Sequence, residues 1–301
     1  MHSASPPIPR RAWLLAALGV LAFALSIPMT RLASGSSAEP ALPPMFVAIG
    51  RAVVAGLLAS VYLLYVRAQR PSPAQWRSLA AMAAGVVFGW PLFLGWAVRE
   101  VDAIHAAVIS GLLPLGTAVA ASWALGQRAG LRFWTCALLG LVWVLLFAAW
   151  RGAGALAVAD LLLLAAVACS SFGYVHGARL SGQMPPEQVI SWALVLCLPL
   201  TLPLAAWVWL VQGVGLNVPA PAWGGFAYVA VVSMWMGFFP WYRALALGGA
   251  LRVGQVQTLQ PFLSVLLAVP LLGEQLDLAV LGFLVLVLAT VVMGQRSRSL
   301  A

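Results

Sequence analysis

The chain has 301 residues, 63% of them hydrophobic and 8% charged, with a formal net charge of +9 and a mean hydropathy of +1.00. A soluble domain is nearer a quarter charged, so a water-facing surface cannot be built from this composition and lipid must be the outer solvent. The sixteen basic residues are all arginines, scattered between apolar runs with no aromatic-interleaved basic patch, which argues against nucleic acid as a partner.

In chain order, ten apolar stretches are long enough to cross a layer about 30 Å thick as helices of about 20 residues. They lie at 12–30, 44–66, 78–98, 103–125, 132–150, 156–178, 187–211, 223–246, 252–272 and 277–294. Turn-forming segments such as ASGSSAEP, RGAG and QGVGLNVPAP separate them, and none is long enough for a soluble domain. The expected fold is an all-α integral membrane protein of ten transmembrane helices. The first stretch, with Arg10-Arg11 before it and Ala22-Phe23-Ala24 within it, also resembles a secretory signal; its apolar run continues past that point, so an uncleaved first span is expected.

With a cytoplasmic N-terminus, twelve arginines fall at inside loops and ends and three (Arg31, Arg99, Arg151) outside. This obeys the positive-inside rule and predicts both termini in the cytoplasm of a bacterial-type cell, with the chain in its inner membrane. Cys136, Cys169 and Cys197 sit in apolar runs with no metal or CxxC spacing, so they read as apolar filler. No metal or other cofactor is expected.

The fourth and ninth stretches share one pattern. Pro114 is followed by Gly126 and Pro261 by Gly273, each pair twelve apart, and the two prolines are separated by 261 − 114 = 147 residues. At that offset Ala97-Val98 matches Ala244-Leu245, Ala103 matches Ala250, and Leu125-Gly126-Gln127 matches Leu272-Gly273-Glu274. The chain therefore reads as two five-helix units, 12–150 and 156–294. An odd number of crossings inverts the second unit, and inverted repeats are the architecture of secondary transporters.

HAAVISGLLPLGTAVAASWALGQ and VGQVQTLQPFLSVLLAVPLLGEQ resemble the fourth helix of EamA-type repeats in the drug/metabolite transporter superfamily, and WYRALALGGA resembles that family's third-helix ending. The resemblance covers 12–294. It implies ten helices, cytoplasmic termini and movement of small organic metabolites, often outward. One departure stands out: the family usually ends this helix in Gly-Glu, as at Gly273-Glu274, whereas the first unit has Gly126-Gln127.

Arg51 lies about 12 Å into the second span at 1.5 Å per residue, where an arginine costs about 2.5–3.5 kcal/mol on insertion scales. Either it faces a wet cavity and holds an anionic group such as a carboxylate, or it snorkels or binds a neighbouring helix's carbonyls. Gln257 and Gln260, three apart, share a face beside Pro261, whose missing N–H frees a carbonyl one turn earlier; Ser110 beside Pro114 repeats this weakly. These polar groups read as substrate contacts or as interhelical bonds, and Pro114 and Pro261 as points of helix breakage and gating. Trp90 and Trp235 are candidates for a flat or apolar substrate. His105 and His176 are the candidates for a coupling proton, each with a plain helix contact as the alternative.

No HExxH, GxSG or paired deep carboxylate supports an enzyme, no ring of like residues supports a channel, and no GxxxxGK[ST] loop supplies ATP. The reading is a secondary carrier, with a non-transporting membrane subunit as the alternative. Substrate, coupling and oligomeric state are not legible.

Overall fold

The computed structural model describes residues 9–124, 130–152, 154–214, 217–248 and 253–298. Eight helices are long and apolar enough to span a membrane: α1 (Arg10–Ser34), α2 (Pro44–Tyr65), α3 (Pro73–Glu100), α4 (Ala103–Trp123), α5 (Leu131–Arg151), α6 (Val158–Ser181), α7 (Pro186–Gln212) and α8 (Ala220–Leu247). Two shorter apolar helices, α9 (Val256–Leu272) and α10 (Leu278–Gly294), complete ten. There is no β-strand among the described residues; Gly35 and Pro40 form an isolated bridge.

The helices pack as two related sets. α2 lies along α7, α5 along α10, and α4 against α9. The α3–α6 contact has its counterpart in α8–α1, and α4–α6 in α9–α1. Exchanging the first five helices for the last five leaves this pattern unchanged, which is the architecture of an inverted repeat.

Five helices near the centre are interrupted, each beside a proline. A proline lacks the N–H and crowds the carbonyl four residues back, so the helix must kink, widen or tighten there. α1 breaks at Leu25, ahead of Pro28. α3 widens into a π stretch at Ala84–Gly89 before Pro91, and α8 does so at Tyr228–Met236 before Pro240. α4 breaks at Gly111–Leu112 before Pro114. α9 is entered through a 3₁₀ stretch, Gly254–Leu259, and runs on as α-helix over Gln260–Leu272, with Pro261 in the first turn of that segment. It stops at Gly273, whose φ of 68° is left-handed, a conformation that suits glycine. Its first-repeat counterpart, Gly126-Gln127, lies outside the described residues.

At the break in α1 the freed carbonyls find partners. Ser264 Oγ on α9 donates to the Ala24 carbonyl, four residues before Pro28, at 2.7 Å. The Tyr228 hydroxyl donates to the Ala22 carbonyl at 3.1 Å. In hydrocarbon such satisfaction is obligatory.

α3 and α6 cross closely through facing glycines. A Cβ at Gly85 would run into the Cys169 carbonyl oxygen, and one at Gly173 would come 2.9 Å from the Met82 carbonyl oxygen. Close backbone approach of this kind is how helices associate where no water drives them together. The crossing fixes the spacing of the α3 and α6 side chains that line the central cavity. We expect Gly85→Leu to destabilise the fold by about 1–3 kcal/mol, read as a lowered unfolding midpoint in detergent. Gly282→Leu, where nothing lies within 4 Å of the added Cβ, is expected to change it little; equal midpoints for the two variants would refute the crossing.

Candidate functional site: a cavity around an unneutralised arginine

The interrupted helices converge on one small cavity. Its lining comes from α1 (Phe23, Ser26), α2 (Arg51), α3 (Val86, Trp90), α4 (Leu113), α6 (Ser170, Tyr174), α8 (Ser233, Met234, Phe238) and α9 (Gln260). The free volume is about 30 Å³, enough for a water or two. The site is small, with aromatic and hydroxyl side chains around the guanidinium.

Arg51 is only 3% exposed. Its Nη2 donates to Ser233 Oγ at 2.9 Å, and Ser233 Oγ in turn lies 2.5 Å from Ser26 Oγ. Its Nε and Nη1 have no hydrogen-bond partner. A guanidinium stays protonated in proteins, so this is a buried cation with open donors. Gln260 beside it leaves Oε1 unpartnered, and Gln257 one turn earlier leaves Nε2 unpartnered. The Tyr174 hydroxyl lies beside Ser170 and Gln257. Buried polar groups are normally satisfied, and these four open atoms come from side chains gathered at one place.

The sequence candidates divide on their placement. Arg51, Trp90 and Gln260 line the cavity, with Gln257 just behind. Pro114 and Pro261 each sit at the restart of a broken helix. Ser110 is outside the lining, its hydroxyl donating to the Ala107 carbonyl of its own helix at 2.7 Å. Trp235 is outside it too: its Nε1 donates to Ser191 Oγ at 2.9 Å, and its ring meets Tyr62 and Phe239. His176 packs edge-on against Phe172, whose side chain is exposed. Ser26, Ser170 and Ser233 escaped the sequence reading, because a lone serine in an apolar helix is cheap and unremarkable; their only signal is mid-span position.

Polar ties gather at the end of the bundle opposite the termini, called here the far end. His105 Nε2 lies 2.6 Å from Asp160 Oδ1, both buried, and Asp160 Oδ2 accepts the Ala157 N–H at 2.8 Å. Arg31 donates to the carbonyls of Val98 and Val101. Asp102 pairs with Arg151 at 2.9 Å. The Glu274 carboxylate, from the α9–α10 connection, accepts the N–H groups of Ala103 and Ile104 at 2.7 and 2.8 Å. It thereby caps the N-terminus of α4 in the other repeat.

Two stretches, 10–149 and 157–294, each match the model of the EamA-like transporter family. The chain belongs to that family. It is 40% identical over 284 residues to the "Uncharacterized transporter YdeK" of Bacillus subtilis (strain 168), covering 94% of this chain and 96% of that one. A protein of known crystal structure matches at TM-score 0.59 and 20% identity over 96% of each chain, a likeness of fold alone. The chain is thus a multi-pass membrane protein of a transporter family.

In this EamA chain the Gly-Glu ending of α9 has a visible structural task. Gly273 turns the backbone, and Glu274 reaches the helix end of the opposite repeat. Burial raises the Glu274 pKa; the two N–H groups and Arg31 oppose that rise, whereas Asp102 adds to it. Glu274→Ala is expected to cost about 1–2 kcal/mol by stripping a cap, with Glu274→Gln costing less because a carbonyl oxygen remains. Unfolding midpoints in detergent check this, and an unchanged Glu274→Ala midpoint would count against the clasp.

Proposed function

We propose that this chain is a secondary carrier that moves a small organic metabolite outward across the inner membrane. Two inverted halves, 12–150 and 156–294, rock about a site anchored by Arg51. The observation that carries the reading is the buried guanidinium with two open nitrogens at the meeting point of five interrupted helices. A charge kept at such cost at membrane depth reads as a functional group, and broken helices around a midplane site are where secondary transporters bind their cargo. Trp90, Gln257 and Gln260 complete the contacts on this reading, and the breaks beside Pro114 and Pro261 are the points that flex. The arginine distribution supports cytoplasmic termini, which makes the far end the outer face and its cluster of ties an outer gate, closed here over a small site.

Cells overproducing the wild type, Arg51→Ala at matched membrane abundance, or neither, are compared by metabolite profile of medium and cytosol. The expected outcome is a compound enriched outside with the wild type alone, the variant losing at least about tenfold in export, as befits an interaction worth 1.4 kcal/mol or more. Equal export by wild type and variant would remove Arg51 from the path; no change in any pool would sink the export reading.

Between the two histidines, His105 is the better coupling candidate, because its bond to Asp160 joins α4 to α6 within the outer gate. On this reading, export measured from pH 5.5 to 8 loses its pH dependence in His105→Asn and keeps it in His176→Asn. The reverse pattern would discard the assignment.

A further inference from the structure

The chain contains seven acidic residues, and every one lies among the described residues. Asp160 is held by His105, Asp102 by Arg151 and Glu187 by Arg243. Glu274 caps α4 and Asp277 accepts the Val280 N–H at the start of α10. Glu39 and Glu100 are exposed. None lines the cavity. The site therefore holds a fixed positive charge and no negative one.

Resting on the reading of Arg51 as anchor, we propose that the site selects an organic monocarboxylate with an apolar body and a neutral hydrogen-bond donor, and rejects zwitterionic amino acids of the same shape. The open atoms define the match. Arg51 Nε and Nη1, with the remaining hydrogen of Nη2, can grip a carboxylate in the two-point manner that guanidinium favours. Gln257 Nε2 offers a further donor to an oxygen of the ligand. Gln260 Oε1 offers one acceptor, which suits a single amide or hydroxyl hydrogen. Phe23, Trp90 and Phe238 supply apolar surface for the rest.

A zwitterion fits this set poorly. Its ammonium would meet only neutral acceptors, Gln260 Oε1 and the hydroxyls of Ser26, Ser170, Ser233 and Tyr174, and no carboxylate, and burying a charge without a counter-charge is costly. That ammonium would also sit beside Arg51, a like charge in a medium of low dielectric constant. Aromatic faces can cradle a cation, but they cannot cancel the guanidinium charge. A monoanion does cancel it, leaving the loaded site neutral.

The test uses the purified full-length protein in detergent and its unfolding midpoint as the measure of binding. The probes share one body: N-acetylphenylalanine (monoanion with one amide N–H), 3-phenylpropionate (monoanion without it), phenylalanine (zwitterion) and phenethylamine (cation). A second set built on a leucine body runs beside it. N-acetyl probes are expected to raise the midpoint at concentrations at least tenfold below those the zwitterion needs, with the simple acid between them and the amine inert. Arg51→Gln should abolish the shifts. Gln260→Met, which keeps the charge, should equalise N-acetyl probe and simple acid while preserving the preference for anions; should Arg51→Gln fail to fold, Arg51→Lys and Gln260→Met carry the comparison. A zwitterion bound as tightly as the anion, and still dependent on Arg51, would overturn the charge class and leave the anchor standing. Shifts that persist unchanged in Arg51→Gln would overturn the anchor itself. No response of the wild type to either body at about 10 mM, a level that detects even a Kd of about 1 mM, would also overturn the proposal.

Discussion

A backbone amide in hydrocarbon has no water to turn to, so every interruption of a spanning helix needs a protein partner or a wet cavity at that depth. This constraint organises the molecule. Pro28, Pro91, Pro114, Pro240 and Pro261 interrupt five helices, and each of those helices contributes side chains to the central cavity. Elsewhere the helices run on without interruption: α7 carries Pro199 and Pro203 within one continuous helix, and α2 carries no interior proline at all. The interruptions thus fall in helices that line the cavity, whereas α2–α7 and α5–α10 form unbroken pairs.

Charge is distributed by the same logic. The acids sit at helix ends, where each meets a cation, a helix N-terminus or water. Arg51 alone among the buried residues is a cation in the middle of a span without a carboxylate partner. The repeat does not extend to this group: at the offset of 147 residues, 51 + 147 = 198 is a leucine. Leu198 packs against Gly56, so the second half uses that position for close helix contact. Two halves of one architecture therefore frame a site whose cation comes from the first and most of whose neutral polar groups, Ser170, Tyr174, Ser233 and Gln260, come from the second.

The fold was largely legible because its signals are cumulative. Span length, alternating arginine placement and the Pro-to-Gly echo each point to ten helices in two inverted sets, and small errors in boundaries leave that conclusion intact. Arg51, Gln260 and Trp90 stood out because each is expensive or bulky inside an apolar run. What could not be read was pairing. His105 and Asp160 are 55 residues apart, and their meeting depends on how α4 crosses α6, which no local pattern encodes. Ser26 and Ser233 are 207 apart and became partners through the α1–α8 contact. Trp235 looked as central as Trp90 in the sequence, yet the π stretch that precedes Pro240 sets its register, and its ring faces Tyr62 and Phe239 instead of the cavity.

The Glu274 clasp also has a bearing on how the protein is made. Asp102, placed where a helix normally finds its own cap, turns its carboxylate toward Arg151, and that side chain makes no bond to the α4 backbone. The first amides of α4 wait for a carboxylate 171 residues later in the chain. Helices enter the membrane in the order in which they are translated, so α4 arrives with its end bare and stays so until α9 has been threaded and turned. A chain that ends before residue 274 leaves two amides at the start of α4, in the first five-helix unit, without their carboxylate. Completion of the protein is in this sense written into a hydrogen bond between its first half and nearly its last helix.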